Sequence, residues 1–304
     1  MNKLNMSEYT ISIIIISYNT KDLLQNCIQS IVDKTESVGY EIIVVDNAST
    51  DGTQEIIRSN FPQIKFIANK NNIGFGAANN MGIKIAVGKY LFLLNPDTVL
   101  TNNAIKCFYD FMENPMHQNV WCCGAALVSK DLKPDITYSN FPSLWQVFFE
   151  FGLHAIFRNY YLEKIAIGVP WNHINMDPFD VMVVSGADMF IRRSILDQIG
   201  YFDEDFFLYY EETELSWRAH QKGFLSKIIP SIKIIHIGGQ STRNLNLKKI
   251  EIFETSRFLF FKKCYGVTIA FIARLLYTLW NLTRYLNRRD SIYLETIRII
   301  WKVA

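Results

Sequence analysis

The sequence lacks the features that would assign it to several large protein classes. It has five cysteines in 304 residues, an odd number, with no CxxC pair. Cys27, Cys107, Cys122, Cys123 and Cys264 therefore read as free thiols of a reducing compartment, not as a disulfide framework. No apolar run reaches the roughly 20 residues needed to span a bilayer. The nearest, 267–282, has sixteen residues with Arg274 in its middle. No signal peptide is read: residues 1–10 are polar, and the apolar run 11–16 leads into Ser-Tyr-Asn, not small cleavage-site residues. The body is expected in the cytosol. Charged residues make up only 20% and hydrophobic ones 49%, which excludes a long disordered chain. The GxSxG elbow, the Walker A sequence and HExxH are all missing, so nucleophile, P-loop and zinc-peptidase chemistries lose their usual signatures. There is no internal repeat.

What is present begins with charge. The formal net charge of +2 hides a division. From Arg243 onward there are 12 Lys/Arg against 4 Asp/Glu, and residues 1–242 hold 19 against 25. An acidic body joined to a basic, aromatic tail implies a surface partner for the tail. It argues against nucleic acid as a partner of the body. The length allows one large or two medium domains.

The first half alternates buried-strand and helix patterns. Strands are predicted at 11–17, 41–46, 64–68 and 90–94, with helices at 22–33, 52–60, 74–87 and 101–113. Strand-like runs at 120–128, 181–191 and 225–236 follow, with a helix at 212–222. Between 130 and 180 lies an aromatic, proline-punctuated insertion expected to cover one end of the sheet. The series predicts an α/β, doubly wound, mostly parallel sheet with flanking helices. Ligands of such sheets bind beyond the carboxyl ends of the strands. Tyr18-Asn19, Asp46-Asn47 and Asn95-Pro96-Asp97 all follow strands.

Each of these loops admits a chemical and a plain reading. Asp46 accepts hydrogen bonds only, which suits a base N–H or a ribose hydroxyl, though 46–52 also reads as an ordinary strand–turn–helix link with Ser49 or Asp51 as cap. Gly74-Phe75-Gly76 opens a helix, either for close backbone approach to a ligand or for packing on the sheet. Asp97 suits a divalent ion that also takes phosphate oxygens, or caps the next helix. Tyr209-Tyr210-Glu211-Glu212 runs aromatics into two carboxylates at a helix start, as a general base in an aromatic wall or as acids on the helix dipole. His236 ends a strand before Gly238-Gly239-Gln240-Ser241, as a metal ligand or a structural imidazole.

In combination these motifs resemble the family 2 inverting glycosyltransferases of the GT-A fold, particularly the bacterial rhamnosyltransferase-like branch. The resemblance covers about 10–242. It rests on Ile15-Ile16-Ser17-Tyr18-Asn19, Val44 to Gly52, Asn72 to Asn79, Leu94-Asn95-Pro96-Asp97, Ser185-Gly186-Ala187-Asp188-Met189-Phe190-Ile191-Arg192-Arg193, Phe202 to Glu212, and His236-Ile237-Gly238-Gly239. It implies a GT-A domain over 1–242, with a nucleotide-sugar half (1–125) and an acceptor half (126–242), and a basic amphipathic helical tail over 243–304. Tyr18, Asn19, Asp46, Asn47 and Ser49 would meet the nucleoside. Gly74, Phe75, Asn79 and Asn80 would line the donor pocket, with Asn95 and Asp97 at the diphosphate. Asp97 and His236 would hold a divalent metal, Mg2+ or Mn2+. The base would be Glu212 or Glu211; the family's branch usually has Asp within a Glu-Asp pair here.

The resemblance further implies transfer of a sugar, rhamnose or a related deoxyhexose, from a dTDP- or UDP-sugar to a glycan or lipid-linked acceptor by a metal-assisted single displacement. A UDP- or GDP-hexose transferase, or an inactive sugar-nucleotide binder at the membrane, is the alternative. The aromatic insertion is expected to stack against acceptor sugars. In the tail, Arg274, Thr278, Asn281 and Arg288 fall on one helical face, and a second helix is expected at 292–303. Two basic amphipathic helices suit the anionic inner face of the plasma membrane; packing on the body or on a second copy in a homodimer is the alternative.

Overall fold

Seven consecutive residues with no exposed member, ISIIIIS, form β1 (Ile11–Ser17), which pairs in parallel with β2 (Tyr40–Asp46) on one side and β4 (Tyr90–Leu94) on the other. Continuous β-branched burial is what a parallel strand covered on both faces demands. The computed structural model describes residues 10–170, 176–238 and 247–302. The expected boundary at 242/243, with Gly239, Gln240, Ser241 and Val303, lies outside them.

Between β1 and β2 runs α1 (Lys21–Lys34), whose buried Leu24, Cys27, Ile28 and Ile31 recur at the helical period. Next come α2 (Thr53–Asn60), β3 (Lys65–Ala68) and α3 (Phe75–Ile85). After β4 the chain forms β5 (Thr98–Leu100), α4 (Ala104–Glu113) and β6 (Val120–Val128). The insertion contributes β7 (Ile136–Ser139), α5 (Leu144–Phe148), a π-helical turn (Phe149–Leu153), α6 (His154–Ile156), α7 (Arg158–Lys164) and β8 (Val169–Pro170). Then follow β9 (Phe179–Val181), β10 (Val183–Val184), β11 (Asp188–Arg192), α8 (Arg193–Ile199), α9 (Glu211–Gln221) and β12 (Leu225–His236). The tail holds α10 (Leu247–Phe260), a π-helical turn (Phe261–Tyr265), α11 (Val267–Arg288) and α12 (Ile292–Lys302).

The main sheet has the order β3-β2-β1-β4-β11-β6-β12-β5, with β9 also on β12. It is mixed: parallel from β3 to β4 and between β6 and β12, antiparallel where β11 enters and at β5 and β9. Alternate residues of β1 divide between two cores. Ile11, Ile13 and Ile15 pack with α1 and α4, and Ile14 and Ile16 with α3, α8 and α9. Helices thus flank both faces of the sheet, the doubly wound arrangement the sequence predicts. A smaller sheet, β10-β7-β8, stands beside it.

Two local differences from expectation build the site. The run 181–191 is not one strand, because Ser185-Gly186-Ala187 turns between β10 and β11. Asp97 and Thr98 cap no helix; Thr98 opens β5, which pairs with the end of β12 and sets Thr98 opposite His236. Asn103 stands at the start of α4 instead.

The tail is fastened to the body. Phe260 of α10 is buried with Phe206 and Tyr210. The expected polar face of α11 largely turns inward. Asn281 is buried and donates to the Tyr277 carbonyl at 2.8 Å, Arg274 lies over the Phe258 ring, and Thr278 accepts from the Trp301 indole at 3.0 Å. The small Ala270 and Ala273 on this side let α11 pack closely with Leu276 beside them, and Leu275, Leu279, Leu282 and Leu286 face out. Arg288 remains exposed.

Candidate active site

The strands β1, β2 and β4 end along one edge of the sheet, and their loops are laced together. The Asn19 backbone, at φ 53°, donates to the Ser49 hydroxyl at 2.9 Å, while the Asn19 side-chain oxygen accepts from Thr50 N at 2.8 Å. Tyr18 beside it is exposed. Asp46 is fully buried. Its Oδ2 accepts from Ser49 N (3.1 Å) and Gln54 Nε2 (2.9 Å), whereas its Oδ1 has no partner in the chain. A buried acceptor left open at a strand end fits the N–H of a ligand. Gln54 carries no sequence signal; it is the second residue of α2 and is revealed only by this contact.

Asn47 is a hub. Its Nδ2 donates to Asn72 Oδ1 and the Gly74 carbonyl, and its Oδ1 accepts from Asn69 Nδ2 and Ile73 N. It shapes the turn into α3 and has little hydrogen-bonding capacity left for a ligand. At that turn Gly74 has φ +92°, and a Cβ there would stand 2.5 Å from the Phe207 carbonyl oxygen. The same oxygen accepts from Phe75 N at 2.9 Å. The start of α3 is thereby locked to the segment that leads into α9. Asn79 donates to the Phe75 carbonyl and keeps a buried, partnerless Oδ1. Asn80, expected at the donor pocket, is instead committed to the frame: it donates to the Phe202 carbonyl and Glu204 Oε1 and accepts from Phe202 N.

The acid pair opens α9 behind two strained residues. Tyr209 and Tyr210 both have φ +69°, a conformation that costs about 1–3 kcal/mol at each non-glycine position. Glu211 is 3% exposed, its Oε2 is partnerless, and its Cβ approaches Gly76 of α3. Burial, then the charge of Glu212, pushes its carboxyl well above the usual range. Glu212 is half-buried beside Gly186, whose Cβ position would lie 3.8 Å from Glu212 Cγ and 3.9 Å from the Phe75 ring. Burial raises its pKa too. Of the two, Glu212 has the access a base needs.

The Gly186 turn joins this acid to the strand end of β4, because the next residue, Ala187, accepts from Asn95 N at 2.9 Å. Asn95 in turn accepts from the Thr98 hydroxyl through its carbonyl. Asp97 Oδ1 lies 3.5 Å from His236 Nε2, and the other ring nitrogen, Nδ1, lies 3.0 Å from Asp135 Oδ2. Burial alone would lower the His236 pKa, but the hydrogen bonds and charges of Asp97 and Asp135 outweigh it and hold it above its ordinary value. Asp135 has no signal in sequence; it is brought in by its backbone bond to Leu127 beside β6. Among the described residues no group of three or more His, Cys, Asp or Glu converges as a metal cage. The donor set nonetheless fits a divalent ion of the kind that uses one or two protein ligands plus phosphates, because Asp97 and His236 Nε2 adjoin and a carboxylate on Nδ1 is the usual outer partner of a ligating histidine. Asp188 is a different case. It is fully buried with Oδ2 on Ala125 N, and burial holds its carboxyl well above the usual range.

Comparison with known proteins agrees with this geometry. The N-acetylglucosaminyl-diphospho-decaprenol L-rhamnosyltransferase of Mycobacterium tuberculosis is 26% identical over 249 residues, 76% of each chain. The dTDP-rhamnosyl transferase RfbF of Shigella flexneri is 25% identical over 234 residues, 76% of this chain and 70% of its own. In fold the chain is similar to the crystal structure of GalNAc-T7 with UDP, GalNAc and Mn2+, at a TM-score of 0.56 and 15% identity over 84% of this chain and 50% of that one. It is similar also to S. aureus TarS 1-349, at 0.52 and 14% over 93% and 74%. Residues 12–200 match Glycosyl transferase family 2. That stretch holds the β1, β2 and β4 strand ends and the Gly186 turn, and Glu212 and His236 are delivered to it from just beyond. The chain belongs to glycosyl transferase family 2 and is a glycosyltransferase.

Proposed function

We propose that the chain moves rhamnose or a related deoxyhexose from a dTDP donor onto a lipid-linked glycan, in one displacement that inverts the anomeric carbon. Two relatives whose names specify rhamnosyl transfer, one of them to a diphospho-decaprenol acceptor, support the sugar and the acceptor class. The observation that carries the reading is the half-buried Glu212 side chain beside Phe75 and Gly186, where its fully buried neighbour Glu211 is closed off. Glu212 takes the proton of the acceptor hydroxyl, a poor nucleophile until then. Tyr18, Asn19, Ser49 and Asp46 receive the nucleoside, with the open Asp46 oxygen accepting from the base. Asp97 and His236 hold Mg2+ or Mn2+, which supplies charge neutralisation at the leaving diphosphate. Asp135 keeps His236 Nδ1 as donor, so that Nε2 presents its lone pair. The C-terminal helices keep the body at the inner face of the plasma membrane, where a lipid-linked acceptor resides.

The test is transfer and donor hydrolysis measured with dTDP-, UDP- and GDP-sugars for the wild type, Asp97→Ala and Glu212→Gln, beside thermal shifts for donor binding. Turnover of a dTDP-deoxyhexose that Asp97→Ala abolishes and Glu212→Gln lowers by about 10²–10⁴-fold, with donor binding kept in Glu212→Gln, is expected. Preferential turnover of a UDP- or GDP-hexose would replace the sugar assignment. Full turnover in Glu212→Gln would remove the mechanism.

A further inference from the structure

The α11 helix carries apolar side chains on both its packed and its open side. Its buried side carries Ala270, Ala273, Tyr277 and Asn281, while Phe271, Leu275, Leu279, Leu282 and Leu286 form an exposed stripe along its length. Exposed apolar residues at i, i+4 and i+8, and again four apart, are a continuous surface and not scattered singles. No described helix is long and apolar enough to cross a membrane. A second apolar surface lies in the insertion, where Trp145 is 68% and Ile156 74% exposed, with Phe148, Phe157 and Tyr160 also open.

These surfaces are fastened to each other although more than a hundred residues separate them. Val147 of α5 is buried in one cluster with Phe258, Ala273 and Tyr277, and the Tyr265 hydroxyl donates to the Pro142 carbonyl at 2.8 Å. Between α10 and α11 a cavity of about 310 Å³ opens, lined by Phe258, Leu259 and Phe271 with the cationic Lys262 and Arg274. Apolar walls beside basic heads match an anionic amphiphile. Arg288 and Arg289 add exposed basic charge at the far end of the stripe.

We infer that the 144–160 insertion and α11 are one docking face for an anionic lipid bilayer, with the α10–α11 groove receiving lipid headgroups. The inference rests on the reading of a lipid-linked acceptor. It reassigns the insertion's outer aromatics from the acceptor sugar to the membrane. Exposed aromatics and leucines enter the headgroup–acyl boundary, and the basic tail adds attraction to anionic lipid. Charge decides between a bilayer and a second copy: two tails each holding 12 basic against 4 acidic residues would repel across a symmetric contact, whereas anionic lipid attracts them.

The experiment is co-sedimentation of the full chain with vesicles of phosphatidylcholine alone and with phosphatidylglycerol added, for the wild type, Trp145→Ser/Phe157→Ser and Leu275→Ser/Leu279→Ser. Donor-induced thermal shift and donor hydrolysis are read in parallel. The wild type is expected to bind the anionic vesicles selectively, and each double substitution to weaken binding about tenfold or more. Folding and donor hydrolysis are expected to persist. If the insertion pair binds vesicles like the wild type while the α11 pair does not, the shared face is refuted and only the tail binds. If wild type and both variants bind equally, or the wild type binds no vesicles and sediments as a dimer that Leu275→Ser/Leu279→Ser dissociates, the bilayer is the wrong occupant. Loss of donor hydrolysis in the wild type would instead count against the proposed reaction and leave the docking result standing.

Discussion

The Ser256 hydroxyl donates to the Leu208 carbonyl across 2.7 Å, so a residue of the tail holds the backbone just ahead of the Tyr209–Tyr210 pair. Phe253, three residues earlier on α10, places its ring 5.4 Å from the rings of both tyrosines. Arg257 donates to the Tyr210 hydroxyl at 3.4 Å and pairs with the buried Glu254 at 2.9 Å. The two positive-φ residues that aim Glu212 are therefore braced from behind by α10. The tail that a charge count separates from the body is a wall of the loop that leads into Glu211 and Glu212.

Arg257→Ala is expected to destabilise the fold by about 3–5 kcal/mol, because it strands the buried Glu254 carboxylate. Ser256→Ala removes one hydrogen bond, for about 1 kcal/mol. Urea unfolding measures both. In Ser256→Ala, turnover should fall while the donor-induced thermal shift is retained, since the change acts on the position of Glu212. An Arg257→Ala midpoint equal to wild type would contradict the bracing.

The two acids of α9 should separate in kinetics. Glu211 is buried with a pKa pushed well up, so Gln closely replaces its neutral form, and Glu211→Gln should stay within about tenfold of wild type. Glu212→Gln should lower the rate by about 10²–10⁴-fold. The pH dependence has a definite sign. Glu212 must lose its proton to act as base, and burial raises its pKa, so activity should fall on acidification at a higher pH than an ordinary carboxylate would give. A pH–rate profile checks this, and the acidic limb should vanish in the residual rate of Glu212→Gln.

Much of this arrangement is legible in the residues. The β-branched runs announce the sheet, because burial on both faces leaves no room for alternation at β1. The strand-end positions Tyr18, Asp46 and Asp97 follow from the rule that ligands bind at carboxyl ends. What stays hidden is whatever depends on long-range register. Asp135 reaches His236 only because β7 is laid against β6, and Gln54 reaches Asp46 only because α2 folds back over the strand end. The asparagines mislead for a related reason. Asn47 and Asn80 stand in motifs beside the pocket, yet their amides are spent holding turns together. The 267–282 pattern shows that α11 is amphipathic but not which face is buried, since that is decided by the small Ala270 and Ala273 meeting α10.

Asp135 should matter to metal affinity without touching the metal. Asp135→Asn weakens the acceptor on His236 Nδ1, and loss of such an outer partner typically costs about 10–100-fold in affinity. Titrating Mn2+ into chelator-treated protein should show the concentration for half-maximal activity rising by about that factor, with the rate at saturation close to wild type. Asp97→Ala should show no saturable response. Equal Mn2+ curves for wild type and Asp135→Asn would detach Asp135 from the metal site.

Gly74 offers the sharpest test that the α3 start and the acid loop are one unit. Its φ of +92° with ψ of 169° falls in a region essentially reserved for glycine, so Ala there costs about 1–3 kcal/mol in backbone strain alone. The added Cβ would also meet the Phe207 carbonyl at 2.5 Å, which is backbone and cannot rotate away. Relief requires that 207–212 move, and Glu212 moves with it. Gly74→Ala is therefore expected to lower both the unfolding midpoint and kcat, whereas Gly223→Ala, at φ +81° with nothing within 4 Å of its Cβ, should lower the midpoint only. Retention of wild-type kcat in a folded Gly74→Ala would show that the acid loop is positioned independently of α3.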